Sequence, residues 1–115
     1  MLLTIWLGST FASPEVRILG SDQPPEIAPV LVASHTPEYP REAIRAEIGG
    51  LATACFTITR KGRVRDVVVV QSSNELFRKP VIKAIRKSRY TPAKHNGKPV
   101  AAQLCRTYRF SLEER

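Results

Sequence analysis

The sequence has no apolar run of about 18 residues or more, so no stretch of it is long enough to form a membrane-spanning helix. It has little cysteine and histidine. The two Cys (Cys55, Cys105) and two His (His35, His95) show no metal-ligand spacing, so no metal site is expected. It also lacks a G-x-G-x-x-G, a phosphate-binding loop and a G-x-S-x-G. Neither histidine has a partner base or orienting carboxylate at useful spacing, so no enzymatic activity, cofactor or small-molecule substrate is expected. At 115 residues and 12.8 kDa, the chain has no room for a separate cofactor domain beside its one core.

Acidic residues are scarce in the second half. Residues 1–50 carry three Arg and six acids, a net of −3, whereas residues 51–115 carry fifteen Lys/Arg and four acids, a net of +11. Such a surface favours an anionic partner: nucleic acid, acidic lipid or an acidic protein patch. The basic clusters are Arg60, Lys61, Arg63, Arg65 and the helical stripe Lys79, Lys83, Arg86, Lys87. The first reads most simply as a solvated turn that guards an exposed β edge, and the second as the solvent face of its helix.

Residues 1–12 (MLLTIWLGSTFA) combine a short apolar run with small residues at Thr10 and Ala12, the layout of a secretory signal cleaved after Ala12, although no basic residue precedes the run. Residues 13–34 are rich in proline and are expected to be an extended linker, with a short strand at Val30-Leu31-Val32. The folded domain is assigned to residues 35–112.

Within it, Arg41–Ile48 has helical spacing and Gly49-Gly50 is expected to stop the helix. Leu51–Arg60 alternates, with Ala52, Ala54, Phe56 and Ile58 on one face and Thr53, Cys55, Thr57 and Thr59 on the other. Lys61-Gly62-Arg63 turns the chain into a valine-rich strand, Val64–Gln71, whose pattern slips at Asp66 and predicts a bulge there. Glu75–Arg89 reads as a helix with Val81, Ala84, Ile85 and Ser88 inward. His95–Pro99 is a turn, and Val100–Leu112 is the last strand, with Ala102, Leu104, Tyr108 and Phe110 inward.

These elements predict an α+β fold: two helices packed on a three-stranded antiparallel sheet in order 2-1-3, with the last strand exposed at the edge. If Cys55 faces Cys105, then Leu51 faces Arg109, Thr59 faces Ala101, and the two strands overlap along their full lengths. One assumption satisfies the whole register. In an oxidising compartment the pair can therefore close as a cross-strand disulfide; in a reducing one the two remain separate small hydrophobes.

The ordered set Tyr39-Pro40, Ala43, Gly50, Gly62-x-Val64-x-x-Val67, Ser72-Ser73, Ala84–Pro92, Gly97–Val100 and Phe110 resembles the TonB C-terminal domain family over residues 35–112. Two positions depart from that pattern: Ser88 stands where tryptophan is usual, and Arg106 where an apolar residue is usual. The resemblance implies a periplasmic binding domain that captures an extended segment, the TonB box, of an outer-membrane transporter by adding it to the last strand. The implied partner-binding residues are Ala101, Gln103, Cys105, Thr107 and Arg109 on that edge, with Thr36, Pro37, Tyr39 and Pro40 in the segment preceding the first helix. The motor proteins ExbB and ExbD engage family members through an anchor helix, and none is expected here. A homodimer through the last strand would use the same edge. The alternative from composition is a basic nucleic-acid-binding α+β module. It lacks an aromatic stacking platform on the outer sheet face, and steep salt dependence of DNA binding would be its mark.

Overall fold

The computed structural model describes residues 16–112. The expected signal residues 1–12 lie outside the described residues. Strands β1 (Arg17–Ile18) and β2 (Leu31–Ala33) precede helix α1 (Arg41–Arg45). Strands β3 (Gly50–Ile58) and β4 (Val64–Ser72) form the hairpin, and a 3-10 turn, Glu75–Phe77, leads into α2 (Arg78–Lys87). Short strands β5 (Arg89–Tyr90), β6 (Ala93–His95) and β7 (Lys98–Val100) precede the long last strand, β8 (Ala102–Phe110). No helix among the described residues is long and apolar enough to cross a membrane.

The main sheet has order β1-β8-β3-β4, so the expected 2-1-3 arrangement is present as β4-β3-β8. β3 and β8 pair antiparallel from Gly50↔Phe110 to Ile58↔Ala102, with Cys55 opposite Cys105 and Leu51 opposite Arg109, the register the sequence predicts. Ala52, Ala54 and Ile58 are fully buried and Phe56 nearly so, because their face meets Val81 and Ile85 of α2, both fully buried. Asp66 has φ +55 beside a register shift between Cys55 and Thr57, the bulge expected from the broken valine pattern.

The expectation of three strands is corrected to four. β1 pairs with β8 through Arg17↔Gln103 and Ile18↔Ala102, and the Leu19 amide donates to the Ala101 carbonyl at 2.9 Å. The physical cause is the edge itself: unpaired backbone groups on a rim strand accept any extended chain that reaches them. After a turn at 19–22, the rest of the described proline-rich segment is tied down. Ile27 and Lys94 exchange two backbone hydrogen bonds, Thr91 bonds Val30 through both backbone and hydroxyl, and β2 pairs with β5.

Three local boundaries also differ. α1 ends at Arg45, not Ile48, because Glu47 adopts φ +56 and the Ile48 amide reaches back to the Ala43 carbonyl at 2.8 Å, closing the helix in a Schellman motif. Gly49 serves close packing instead; a Cβ there would lie 2.9 Å from the Phe110 carbonyl oxygen. The second helix begins as a 3-10 turn capped by the Asn74 side chain, which accepts from the Leu76 amide at 2.9 Å, and the α-helix proper ends at Lys87. The region read as a turn before the last strand is a small hairpin, β6–β7, around Asn96-Gly97, both with positive φ. Ser88 occupies a fully packed site, with its hydroxyl donating to the Ala84 carbonyl at 3.0 Å.

The Cys55–Cys105 disulfide joins residues 50 apart in sequence on the outer sheet face, beside a Thr53–Thr107 hydroxyl pair at 2.7 Å. Replacing both cysteines by Ser is expected to cost about 2–4 kcal/mol through restored freedom of the unfolded chain, read as a lower urea midpoint with the fold retained. Gly62 has φ +81, and a Cβ there would sit 1.9 Å from the Tyr90 carbonyl oxygen, which is backbone and cannot swing away. Gly62→Ala is therefore expected to destabilise by about 1–3 kcal/mol in thermal unfolding.

Candidate functional site

A strand residue directs its N–H and C=O to the same side, and the side alternates along the strand. Because Leu19 bonds the Ala101 carbonyl from the rim side, the odd-numbered residues of the last strand turn their backbone groups outward. Of the five edge residues expected to contact a partner, Ala101 and Gln103 are already engaged by residues 17–19. Cys105, Thr107 and Arg109 remain, and among the described residues no strand pairs with the outer rim from Leu104 to Phe110. The open rim is therefore shorter than the full edge expected from sequence.

Thr36, Pro37, Tyr39 and Pro40 do not lie along this rim. They line a groove of about 610 Å³ between the extended segment His35–Arg41 and the Lys79, Lys83, Lys87 stripe of α2. Thr36 is exposed, and Pro37, Tyr39 and Pro40 are half-buried. The two groups of residues meet through Tyr39. Its ring packs edge-on against Phe110, at the far end of the rim, and against Phe77, with centroids at 5.4 and 6.1 Å. Phe77 and Phe110 stack at 4.2 Å, and the Tyr39 hydroxyl donates to the Ile48 carbonyl at 2.5 Å. This aromatic cluster fixes where the open rim ends and the segment before α1 begins.

The other end of the rim is basic. Arg60, Lys61, Arg63 and Arg65 of the β3–β4 tip line a shallow pocket of about 510 Å³ with Leu19, Thr59 and Ala101. Arg65 meets Asp66 at 3.3 Å, and this exposed pair contributes little. Among the described residues no group of three or more His, Cys, Asp or Glu side chains could hold a metal ion.

The alternation along the last strand turns Tyr108 inward, and Arg106 departs from the family pattern. The structure sets both on the inner side of the rim strand. The Arg106 guanidinium carbon lies 5.0 Å from the centroid of the Tyr108 ring, and one nitrogen is 3.5 Å from the Tyr90 hydroxyl. Among the described residues the Tyr108 hydroxyl is buried without a hydrogen-bond partner. Burial raises the Tyr108 pKa above the usual tyrosine value; the Arg106 charge opposes that shift and Tyr90 adds to it. Burial raises Tyr39 as well.

The arrangement is an open strand rim with a basic start, an aromatic end and an arginine beneath its middle. Its outward backbone donors and acceptors at Cys105, Thr107 and Arg109 are unpaired among the described residues. The sequence model of the Gram-negative bacterial TonB protein C-terminal matches residues 35–112. The TonB protein of Pseudomonas aeruginosa is 38% identical over 80 residues, which is 69% of this chain and 23% of that protein, so the chain spans about a quarter of this curated relative. The solution NMR structure of the Pseudomonas aeruginosa TonB CTD is similar with a TM-score of 0.65 and 34% identity, covering 76% of this chain and 89% of that one.

The two tyrosine shifts give a pH prediction. A pKa raised in the folded state contributes stability that is present below the unfolded value and lost as pH rises through the folded one. Stability from Tyr39 and Tyr108 is therefore expected to be level at neutral pH and to fall above about pH 10. Urea midpoints across alkaline pH check this, with Tyr108→Phe expected to flatten the decline.

Proposed function

The chain belongs to the TonB C-terminal family, and on that footing we propose that it captures an extended segment of a TonB-dependent outer-membrane transporter by strand addition, in the periplasm, in the service of transport across the outer membrane. The observation that carries this reading is the row of outward backbone groups at Cys105, Thr107 and Arg109, unpaired among the described residues. Edge pairing supplies affinity through main-chain hydrogen bonds and leaves selectivity to the side chains on either face. The visiting segment runs from the end of β1 toward Phe110. There it meets Tyr39 and the Thr36-Pro37 and Pro40 positions, which act as its second contact. Arg109 projects from the outer face beside it, while Ala101 and Gln103 stay occupied by residues 17–19. A second copy of the chain pairing through the same rim competes with capture.

The role is one of binding. The Cys55–Cys105 disulfide serves it by holding the rim strand in register with β3. The nucleic-acid alternative gains nothing from the fold: Phe56, Phe77, Phe110 and Tyr90 are all buried, so the sheet offers no stacking platform.

Thr107→Pro tests the proposal cleanly. It removes an outward N–H and leaves the β3–β8 ladder intact, whereas proline at Leu104 would break that ladder. Binding of a fluorescent TonB-box peptide is expected to weaken about tenfold or more with Thr107→Pro, with the disulfide and circular dichroism unchanged. Equal binding by wild type and variant would refute strand addition at this edge.

A further inference from the structure

We infer that Arg106 is a specificity-determining residue that selects an acidic side chain on the captured segment. The inference rests on the strand-capture reading and adds to it the chemistry of the partner.

Arg106 sits in the middle of the open rim, with its side chain on the inner sheet face opposite Ala54. It is half-buried. Among the described residues its guanidinium has no carboxylate partner; the ion pairs there join Arg17 to Asp22, Arg65 to Asp66 and Arg78 to Glu75. Its contacts are the face of Tyr108 and a long, weak hydrogen bond of 3.5 Å to the Tyr90 hydroxyl. Most of its donor fork is therefore unspent. A partly desolvated cation lying over one tyrosine ring and only weakly bonded to a second tyrosine's hydroxyl is a costly arrangement for structure alone. Alanine across the strand gives it nothing to bond.

An added strand changes this. Residues facing each other across a strand pair bring their Cβ atoms to about 4.5–5.5 Å on the same face. A Glu or Asp on the inner face of the visiting segment then lies beside the guanidinium. A planar carboxylate matches the fork of an arginine better than any neutral side chain does. Arg109 lies on the opposite face and is exposed to water, where a charge pair is screened. Selection thus falls to Arg106. Backbone pairing supplies capture, and the half-buried charge decides which segment is held.

The probes are short Val/Thr-rich peptides labelled with fluorescein, carrying a single Glu at successive positions, each matched by a Gln version. Binding is measured at low salt to wild type, Arg106→Gln, Arg106→Lys and Arg109→Gln, with amide spectra to check that each variant is folded. At least one Glu register is expected to bind wild type about fivefold tighter than its Gln match. The preference is expected to vanish in Arg106→Gln, survive in Arg109→Gln and survive in part in Arg106→Lys. Capture with no Glu preference in any register, or a preference that persists in Arg106→Gln, overturns the inference and leaves strand capture standing. No binding by any peptide, with the Cys105, Thr107 and Arg109 amides unmoved, overturns strand capture itself and the inference with it.

Discussion

The pairing of β3 with β8 is the constraint on which the rest depends. It brings residues about fifty positions apart into one continuous ladder, and the disulfide pins its middle. Once that ladder is set, the even-numbered side chains of β8 must face α2 and the core. The odd-numbered backbone groups must face outward. The interior and the open rim are two consequences of one register. A slip of one residue would exchange them, placing Leu104 and Phe110 in water and turning the cysteines inward.

The rim has a built-in boundary. Residues 17–19 cover its first positions and leave Leu104–Phe110 open. At the other end Phe110 is locked into the stack with Phe77 and Tyr39. The open stretch of the rim is therefore framed between a resident strand and an aromatic wall. The bulge at Asp66 and the basic tip of the hairpin bend and guard the far side of the sheet, where β4 is the other edge.

Much of this was legible in the sequence. The alternation of Ala52, Ala54, Phe56 and Ile58, the inward stripe Val81-Ala84-Ile85-Ser88 and the placing of Cys55 opposite Cys105 are long or constrained patterns, and each is realised. What escaped notice is short or non-local. β1 has only two residues, too few for any periodicity, and it lies in a stretch where proline argues for a free linker. β6 and β7 flank an Asn-Gly turn that was visible, but three-residue strands with Pro99 in one of them carry almost no strand signal. The end of α1 at Glu47 was hidden because a glycine pair follows it closely, and glycine is the usual residue for that backbone conformation. For the candidate site, the edge strand was legible but its partial occupation was not. Arg106 was visible only as an oddity, since a lone inward arginine gives no hint of what surrounds it until Tyr90 and Tyr108 are in place.

The most direct test of the account is hydrogen exchange along the last strand in the free protein. Amides of Cys105, Thr107 and Arg109 should exchange rapidly, while those of Leu104, Arg106 and Tyr108, bonded into the β3 ladder, should be strongly protected. Addition of a transporter-derived peptide should then slow the odd-numbered set alone. Strong protection of Thr107 and Arg109 before any peptide is added would contradict the account, because the rim would already be closed.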